Sequence, residues 1–517
     1  MNPRIVYLPL DERPCNYDYP QTVARIGGAE ITVPPMEIMG NYKIPADTEA
    51  LWEWLLRESR SASHAVVSMD LLCYGGIVPS RLHHSTAEEC ARRANRLGEL
   101  KGQNPGLRVY AFQLITRAPA RNGSGEEPDY YEHHGYDIFR YGVISDKENS
   151  GAAAPSELSE KEDILRRVPG NFLEDFLARR EINFLTNTGT IDLASRGIID
   201  HLVIPLDDCA EYGFAPAERR RLALKAAELV MLSKISMYPG ADEMGCTLIA
   251  RALCDTANVS PKFWVEYSSN TGKLTIPPYE DRTIGETVPH HIRTAGASSA
   301  KHPGEADIAL MVNPPTAFSN RIKFELDRRK LYMEPERNLP AFMDRIKDFL
   351  AAGSVCAVAD CAVPDGADQC LMVFLKEQNL LGAIHGYSGW NTSSNAMGTA
   401  VAHAAAVCIA RKQGSFTGAV QELSDKFRFS RYIEDWGYMT QVRQDIIDLI
   451  NTGDFGPSVT VRDLDGKGAA IAEEATRRLR AFAGENFAAV PWDISAEMPW
   501  NRMFEIRLTL TRTDGPR

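Results

Sequence analysis

Along the 517-residue chain, short apolar runs alternate with longer stretches in which apolar residues recur every three or four positions. The short runs are Ile5–Leu10, Ile31–Val33, His64–Met69, Val109–Ile115, His201–Leu206, Ile235–Tyr238, Phe263–Tyr267, Ile308–Val312, Val355–Ala359 and Gly382–His385. Continuous apolar runs of this length suit strands covered on both faces, as in a parallel sheet with helical crossovers. The fold class is therefore α/β. Helices are read between them at Ala50–Glu58, Ala87–Lys101, Ala215–Leu232 and Leu339–Gly353, the last closed by a glycine signal.

Residues 122–163 break the rhythm, being rich in Gly, Ser, Glu and paired tyrosines, and read as a long insertion whose flexible part is Ser150–Asp163. Residues 268–303 are strand-poor and read as a loop or small subdomain. After Trp390 the pattern turns helical, at Asn395–Lys412 and Asp435–Gly453, and a small unit follows with a helix at Ala469–Glu485 and a strand-like Phe504–Arg512. The expected organisation is a (β/α)8 TIM-barrel-like catalytic domain over 1–390 and a C-terminal helical region with a small α/β unit over 391–517. Ten strands exceed the eight of a barrel, so the alternative is two doubly wound parallel-sheet domains. No internal repeat is visible.

Charged and amide side chains collect just after the strands. Asp11, Glu12 and Arg13 follow the first, Asp70 and then Arg81 the third, Arg117 the fourth, and Asp207 with Asp208 the fifth. Asp242 and Glu243 follow the sixth, Asn313 the eighth and Asp360 the ninth, while the last run leads into Gly386–Asn395, with Tyr387, Trp390 and Asn391. Ligands bind at this carboxyl end in parallel α/β folds. Single Asp residues there are also helix N-caps, but capping does not easily explain acidic doublets at three strand ends. Two carboxylates held close repel as anions, which raises the pKa of one toward that of a general acid. Glycoside hydrolysis uses such a pair. Asp207 and Asp208 are the catalytic candidates, and Asp11, Arg13, Asp70, Arg81, Arg117, Asp242, Glu243, Asn313, Tyr387, Trp390 and Asn391 the substrate-binding ones.

A net charge of -12 argues against a nucleic-acid surface. No apolar run of about 18 residues or more suggests a membrane span, and the N-terminus lacks the pattern of a signal peptide. The ten cysteines are scattered without a CxxC pair, so buried free thiols in a cytoplasmic protein are expected. The histidine pairs lack HExxH spacing, and GxGxxG, GxxxxGK[ST] and GxSxG are absent. No metal or cofactor is assigned. A site of carboxylates for Mg or Ca is the alternative.

Pro9–Asn16 (PLDERPCN), Asp70–Arg81 (DLLCYGGIVPSR), Pro205–Gly213 (PLDDCAEYG), Tyr238–Glu243 (YPGADE) and Gly389–Gly398 (GWNTSSNAMG) together resemble the bacterial family named domain of unknown function 4127, across nearly the whole chain. Locally, His201–Glu243 is similar to the catalytic region of the β-N-acetylglucosaminidases that remove O-linked N-acetylglucosamine. That resemblance implies a (β/α)8 barrel on which Asp207 orients the substrate's acetamido group and Asp208 is the acid/base. Pro239–Glu243 (PGADE) and Gly386–Asn391 (GYSGWN) do not follow that family's sequence, and the charged Asp11–Pro14 turn is extra. The expected function is glycoside hydrolysis of a small sugar or amino-sugar by carboxylate acid/base catalysis, with substrate assistance as one form. The alternatives are a carboxylate-metal hydrolase or lyase and a non-catalytic sugar-binding protein. The expected partner is a small carbohydrate rather than nucleic acid or membrane, with a homodimer as a common assembly.

Overall fold

Eleven strands form two parallel sheets in the computed structural model, which describes residues 3–318, 327–489 and 491–513. The first sheet contains β1 (Arg4–Leu8), β2 (Glu30–Thr32), β3 (His64–Ser68), β4 (Arg108–Phe112), β5 (His201–Val203) and β6 (Ile235–Ser236), in the order β2-β1-β3-β4-β5-β6. The second contains β7 (Lys262–Tyr267), β8 (Ser298–Ser299), β9 (Ile308–Asn313), β10 (Val355–Asp360) and β11 (Gly386–Ser388), in the order β8-β7-β9-β10-β11. Counted within each sheet, both follow 2-1-3-4-5, and the first adds a sixth strand. This order is common in doubly wound α/β domains, and its switch point lies between the first and third strands.

The eight-stranded ring expected over residues 1–390 does not form among the described residues, because β6 and β7 lie in different sheets. An apolar run reports burial on both faces but not which strand lies beside it. Every residue of β3, β9 and β10 is buried, which is why these runs lack polar alternation.

By its internal contacts the chain forms two units. One comprises Met1–Glu12, Ala29–Ala252 and Tyr279–Arg282 and holds the first sheet. The other comprises Arg13–Gly28, Leu253–Pro278 and Thr283–Arg517 and holds the second sheet, together with the antiparallel pair β12 (Trp492–Glu497) and β13 (Arg507–Arg512).

From Tyr131 onward most of the expected insertion is helical. Tyr131–Asn149 and Pro155–Arg167 are helices, and with Gly170–Ser195 they bury Tyr131, Ile138, Ile144, Ile164, Leu173 and Phe176 in a core of their own. Pro155 opens the second helix at a position where its missing N–H costs nothing.

In the second unit Ser393–Lys412 is buried from Ser393 to Ala410, since its many Ala residues let it pack on all sides against β9, β10 and β11. The helix expected at Asp435–Gly453 is reached through a π-helix, Tyr432–Val442, before Arg443–Thr452 resumes α-helical winding. The final strand of the second sheet lies at Gly386–Ser388 rather than Gly382–His385, and β8 falls inside the strand-poor stretch. No helix among the described residues is long and apolar enough to cross a membrane.

Candidate active site

The turn after β5 is fixed by its backbone. Pro205 has no N–H to give, so the regular ladder stops at Val203. Pairing continues through single bonds: Ile115 N–H donates to Pro205 O (2.9 Å), Asp207 N–H to Ile115 O (3.1 Å), Leu206 N–H to Tyr238 O (3.0 Å) and Gly240 N–H to Leu206 O (3.0 Å). Leu206 is thus held on both sides, and the two aspartates leave the sheet from a rigid point. Neither caps a helix, because the helix that follows, Phe214–Glu228, starts from Gly213 without a side-chain cap.

Each aspartate has its own guanidinium. Arg81 Nη2 donates to Asp207 Oδ2 at 2.7 Å, and Arg117 Nη1 to Asp208 Oδ2 at 2.9 Å. Arg81 reaches the site from the short helix Pro79–Leu82, which follows Gly75 and Gly76. Gly75 has φ +90°, and a Cβ there would stand 2.8 Å from Ala46 N, so the tight turn needs glycine. Both arginines also hold a second acidic pair, Glu126 and Glu127. Glu126 Oε2 accepts from Arg81 Nη1 (2.8 Å) and Arg117 Nη2 (3.0 Å), and Glu127 Oε1 accepts from Arg117 Nε (2.8 Å) and stands 3.5 Å from Arg81 Nη1. Sequence reasoning missed these two glutamates inside the supposed insertion. The available signal was a fourth acidic doublet, in the stretch that follows the fourth strand.

Burial and charge set the protonation of this region. Burial pushes the Asp208 carboxyl up to about 6, against the pull of Arg117 and with the help of Asp207, although its side chain keeps 27% of its surface exposed. Asp70 is pushed up to about 7 by burial, opposed by the Leu114 N–H that its Oδ2 accepts at 2.9 Å and reinforced by Asp207. Ser68, not Asp70, caps the helix Met69–Tyr74. Glu243 is pushed up to about 8 by burial, against an Ala241 N–H bond of 2.9 Å and with repulsion from Asp242 and Glu280. Its Oε2 takes a bond within its own loop, and Oε1 has no partner among the described residues. Asp11 and Asp242 are buried at the same sheet's carboxyl end.

The other predicted site residues belong to the second unit, where the carboxyl end of the sheet is centred on an amide. Ser268 Oγ donates to Asn313 Oδ1 at 2.6 Å, and Asn313 Nδ2 donates to Asp360 Oδ1 and Asp368 Oδ2, both at 3.0 Å. Tyr387 OH donates to Asp360 Oδ2 at 3.1 Å. Gly389 N–H donates to Asp435 Oδ2 at 2.8 Å, which ties the Tyr387–Asn391 loop to the π-helix. Trp390 is buried with its ring edge-on to Phe504. Asn391 has φ +63° and accepts from Asp365 N–H (2.8 Å), and the Arg13 guanidinium lies 4.6 Å over the Trp500 ring. The thirteen sequence candidates thus divide: Asp11, Asp70, Arg81, Arg117, Asp207, Asp208, Asp242 and Glu243 in the first unit, and Arg13, Asn313, Tyr387, Trp390 and Asn391 in the second.

No group of three or more His, Cys, Asp or Glu side chains among the described residues is arranged to hold a metal ion. Fold and site together define an α/β protein with a carboxylate–guanidinium lattice at a parallel-sheet end. The family described as a protein of unknown function (DUF4127) matches residues 5–509, and the chain belongs to it. No curated protein and no solved structure matches the chain. The barrel implied by the likeness to β-N-acetylglucosaminidases is not the fold of His201–Glu243, where β5 and β6 close one side of a six-stranded row.

Proposed function

We propose that the chain is a glycoside hydrolase in which Asp208 is the acid/base and Asp207, ion-paired with Arg81, orients and stabilises the reacting sugar. The observation that carries this reading is the contrast within one dipeptide. Asp207 is 5% exposed and locked to a buried guanidinium, whereas Asp208 keeps an open face and a carboxyl near 6. A proton donor works best with a pKa close to the working pH, and a neighbouring carboxylate is what a developing oxocarbenium ion or an acetamido nucleophile needs. Neutral sugars face no penalty from an acidic chain.

The test is turnover of a panel of aryl glycosides, N-acetylhexosaminides included, by wild type, Asp207→Asn and Asp208→Asn, with and without EDTA. Hydrolysis that survives chelation and falls by about 10²–10⁴-fold in Asp208→Asn supports the reading. Turnover by Asp208→Asn within about threefold of wild type rejects it, because general acid catalysis is worth far more than that. As the acid, Asp208 must carry its proton in the free enzyme. The kcat/KM profile should therefore fall about tenfold per pH unit above roughly pH 6, and lose that limb in Asp208→Asn.

A further inference from the structure

The acid/base reading leaves Arg81 and Arg117 partly unexplained, because orienting two aspartates needs only one donor from each. Two of the remaining donors converge, while Arg117 Nε is held by Glu127. Arg81 Nη1 and Arg117 Nη2 both end on a single oxygen, Glu126 Oε2, at 2.8 and 3.0 Å. Arg81 Nε, on a side chain only 3% exposed, has no partner among the described residues. Two guanidiniums aimed at one oxygen form an anion-binding cradle, the arrangement that selects carboxylate and phosphate groups. Here the chain's own Glu126 fills it.

The two acidic pairs are held differently. Asp207 and Asp208 leave a strand end bonded on both sides, whereas Glu126 and Glu127 sit in residues 117–130, which contain no helix or strand and carry Gly123 at φ +133° and Gly125 just before them. Glu126 is also the outer member, with 18% of its side chain exposed over an arginine at 3%. Four acidic side chains share two guanidiniums, so the lattice holds more negative than positive charge. Replacing both glutamates with one external anion would preserve the charge-assisted bonds, and a carboxylate in their place would also reduce that excess.

Resting on the acid/base reading of Asp207 and Asp208, we propose that the substrate is a sugar bearing an acidic group, and that Glu126–Glu127 is a strap that mimics this group and leaves when it arrives. The anionic group is a carboxylate, as in a uronic acid, or a phosphate ester. Either takes the place of Glu126 between Arg81 and Arg117.

Calorimetric titration of the full chain with D-glucuronate, D-galacturonate, D-glucose 6-phosphate and D-glucose tests this, comparing wild type with Glu126→Gln/Glu127→Gln. The variant should bind a uronate or the phosphate ester at least about 10-fold tighter than wild type, with D-glucose unchanged, and the arm that responds identifies the group. Equal affinities in the two proteins, or no binding of any anionic sugar to either, overturn the proposal. Should the variant not fold, hydrogen exchange of residues 121–130 in wild type decides. Saturating anionic sugar should speed it, and unchanged or slower exchange overturns the strap. Turnover of neutral glycosides without any anion preference would remove this proposal and leave the hydrolase reading standing. Anion binding with strap release but no cleavage of any glycoside would do the reverse.

Discussion

The two sheets share a strand order but end differently. At the carboxyl end of the first, acidic side chains face guanidiniums, and the outermost of them, Asp208 and Glu126, reach solvent. At the carboxyl end of the second, the centre is the amide of Asn313, which is 0% exposed, and its neighbours Asp360 and Tyr387 are at 1%. A common topology supplies a place for chemistry, but only the end that keeps charged groups near water can exchange protons with a ligand. The second sheet's end reads as a sealed polar core.

The sharpest way to break this contrast is to neutralise one acid in each end. Asp208→Asn should cost about 10²–10⁴-fold in turnover while the unfolding midpoint barely moves. A large stability loss instead would make Asp208 structural. The next largest effect is expected from Arg81→Met, which strands the buried Asp207 carboxylate while Glu127 keeps its bond to Arg117. Breaking a buried pair this way costs about 3–5 kcal/mol, readable as a lower urea midpoint.

Both ends add to a pH dependence of stability, Asp70 and Glu243 in the first unit included, and the sealed end's share is read through Asp435. Asp360 is pushed up to about 7 by burial and by Asp368, and Asp435 to about 7 by burial, with Arg431 opposing and Glu434 adding. In the unfolded chain both titrate near about 4, so between about pH 4 and pH 7 the folded state holds protons that the unfolded state releases. Stability must therefore fall as pH rises through that window, by something on the order of 2–4 kcal/mol per group. Thermal midpoints measured from about pH 5 to pH 8 should decline, and Asp435→Asn should flatten the decline. A rising profile would show that these carboxyls are ionised and paired.

Smaller effects follow from single polar groups. Asn313→Ala leaves the polar groups of Ser268, Asp360 and Asp368 without their shared partner, a loss of about 1–3 kcal/mol in chemical denaturation. Smallest are the helix caps. Ser68→Ala in the first unit and Thr392→Ala in the second each remove one acceptor from a helix start and should cost about 1 kcal/mol alike. A cost well above that at either position would mean that its side chain does more than cap the helix.

How legible this was in the sequence depends on distance along the chain. Strands such as β3, β9 and β10 stand out because burial on both faces leaves no polar position within them. Two polar residues make β8, an edge strand that no apolar pattern could reveal. Strand order, and with it the choice between one ring and two sheets, is set by crossovers and packing that no local window contains. The same holds for the site. Asp207 and Asp208 were visible as a doublet at a strand end, but the Arg81–Asp207 pair spans 126 positions and the Arg81–Glu126 pair 45. Glu126 and Glu127 lay in a stretch whose glycines and serines suggested only a loop. Trp390 was a substrate-binding candidate at a strand end, and in the fold the residue is only 4% exposed.

The second unit draws its residues from both sides of the first, and this sets a timetable for synthesis. The helix Pro14–Ile26 packs against Ser393–Lys412 and Gly418–Arg431, so it emerges from the ribosome long before its partners exist. At about 5–20 residues per second, roughly 400 residues correspond to a wait of roughly 20–80 s. Through that interval Val23, Ala24 and Ile26, all fully buried in the finished protein, have no native cover from their own unit. Native burial of this helix thus waits until the last third of the chain has been made.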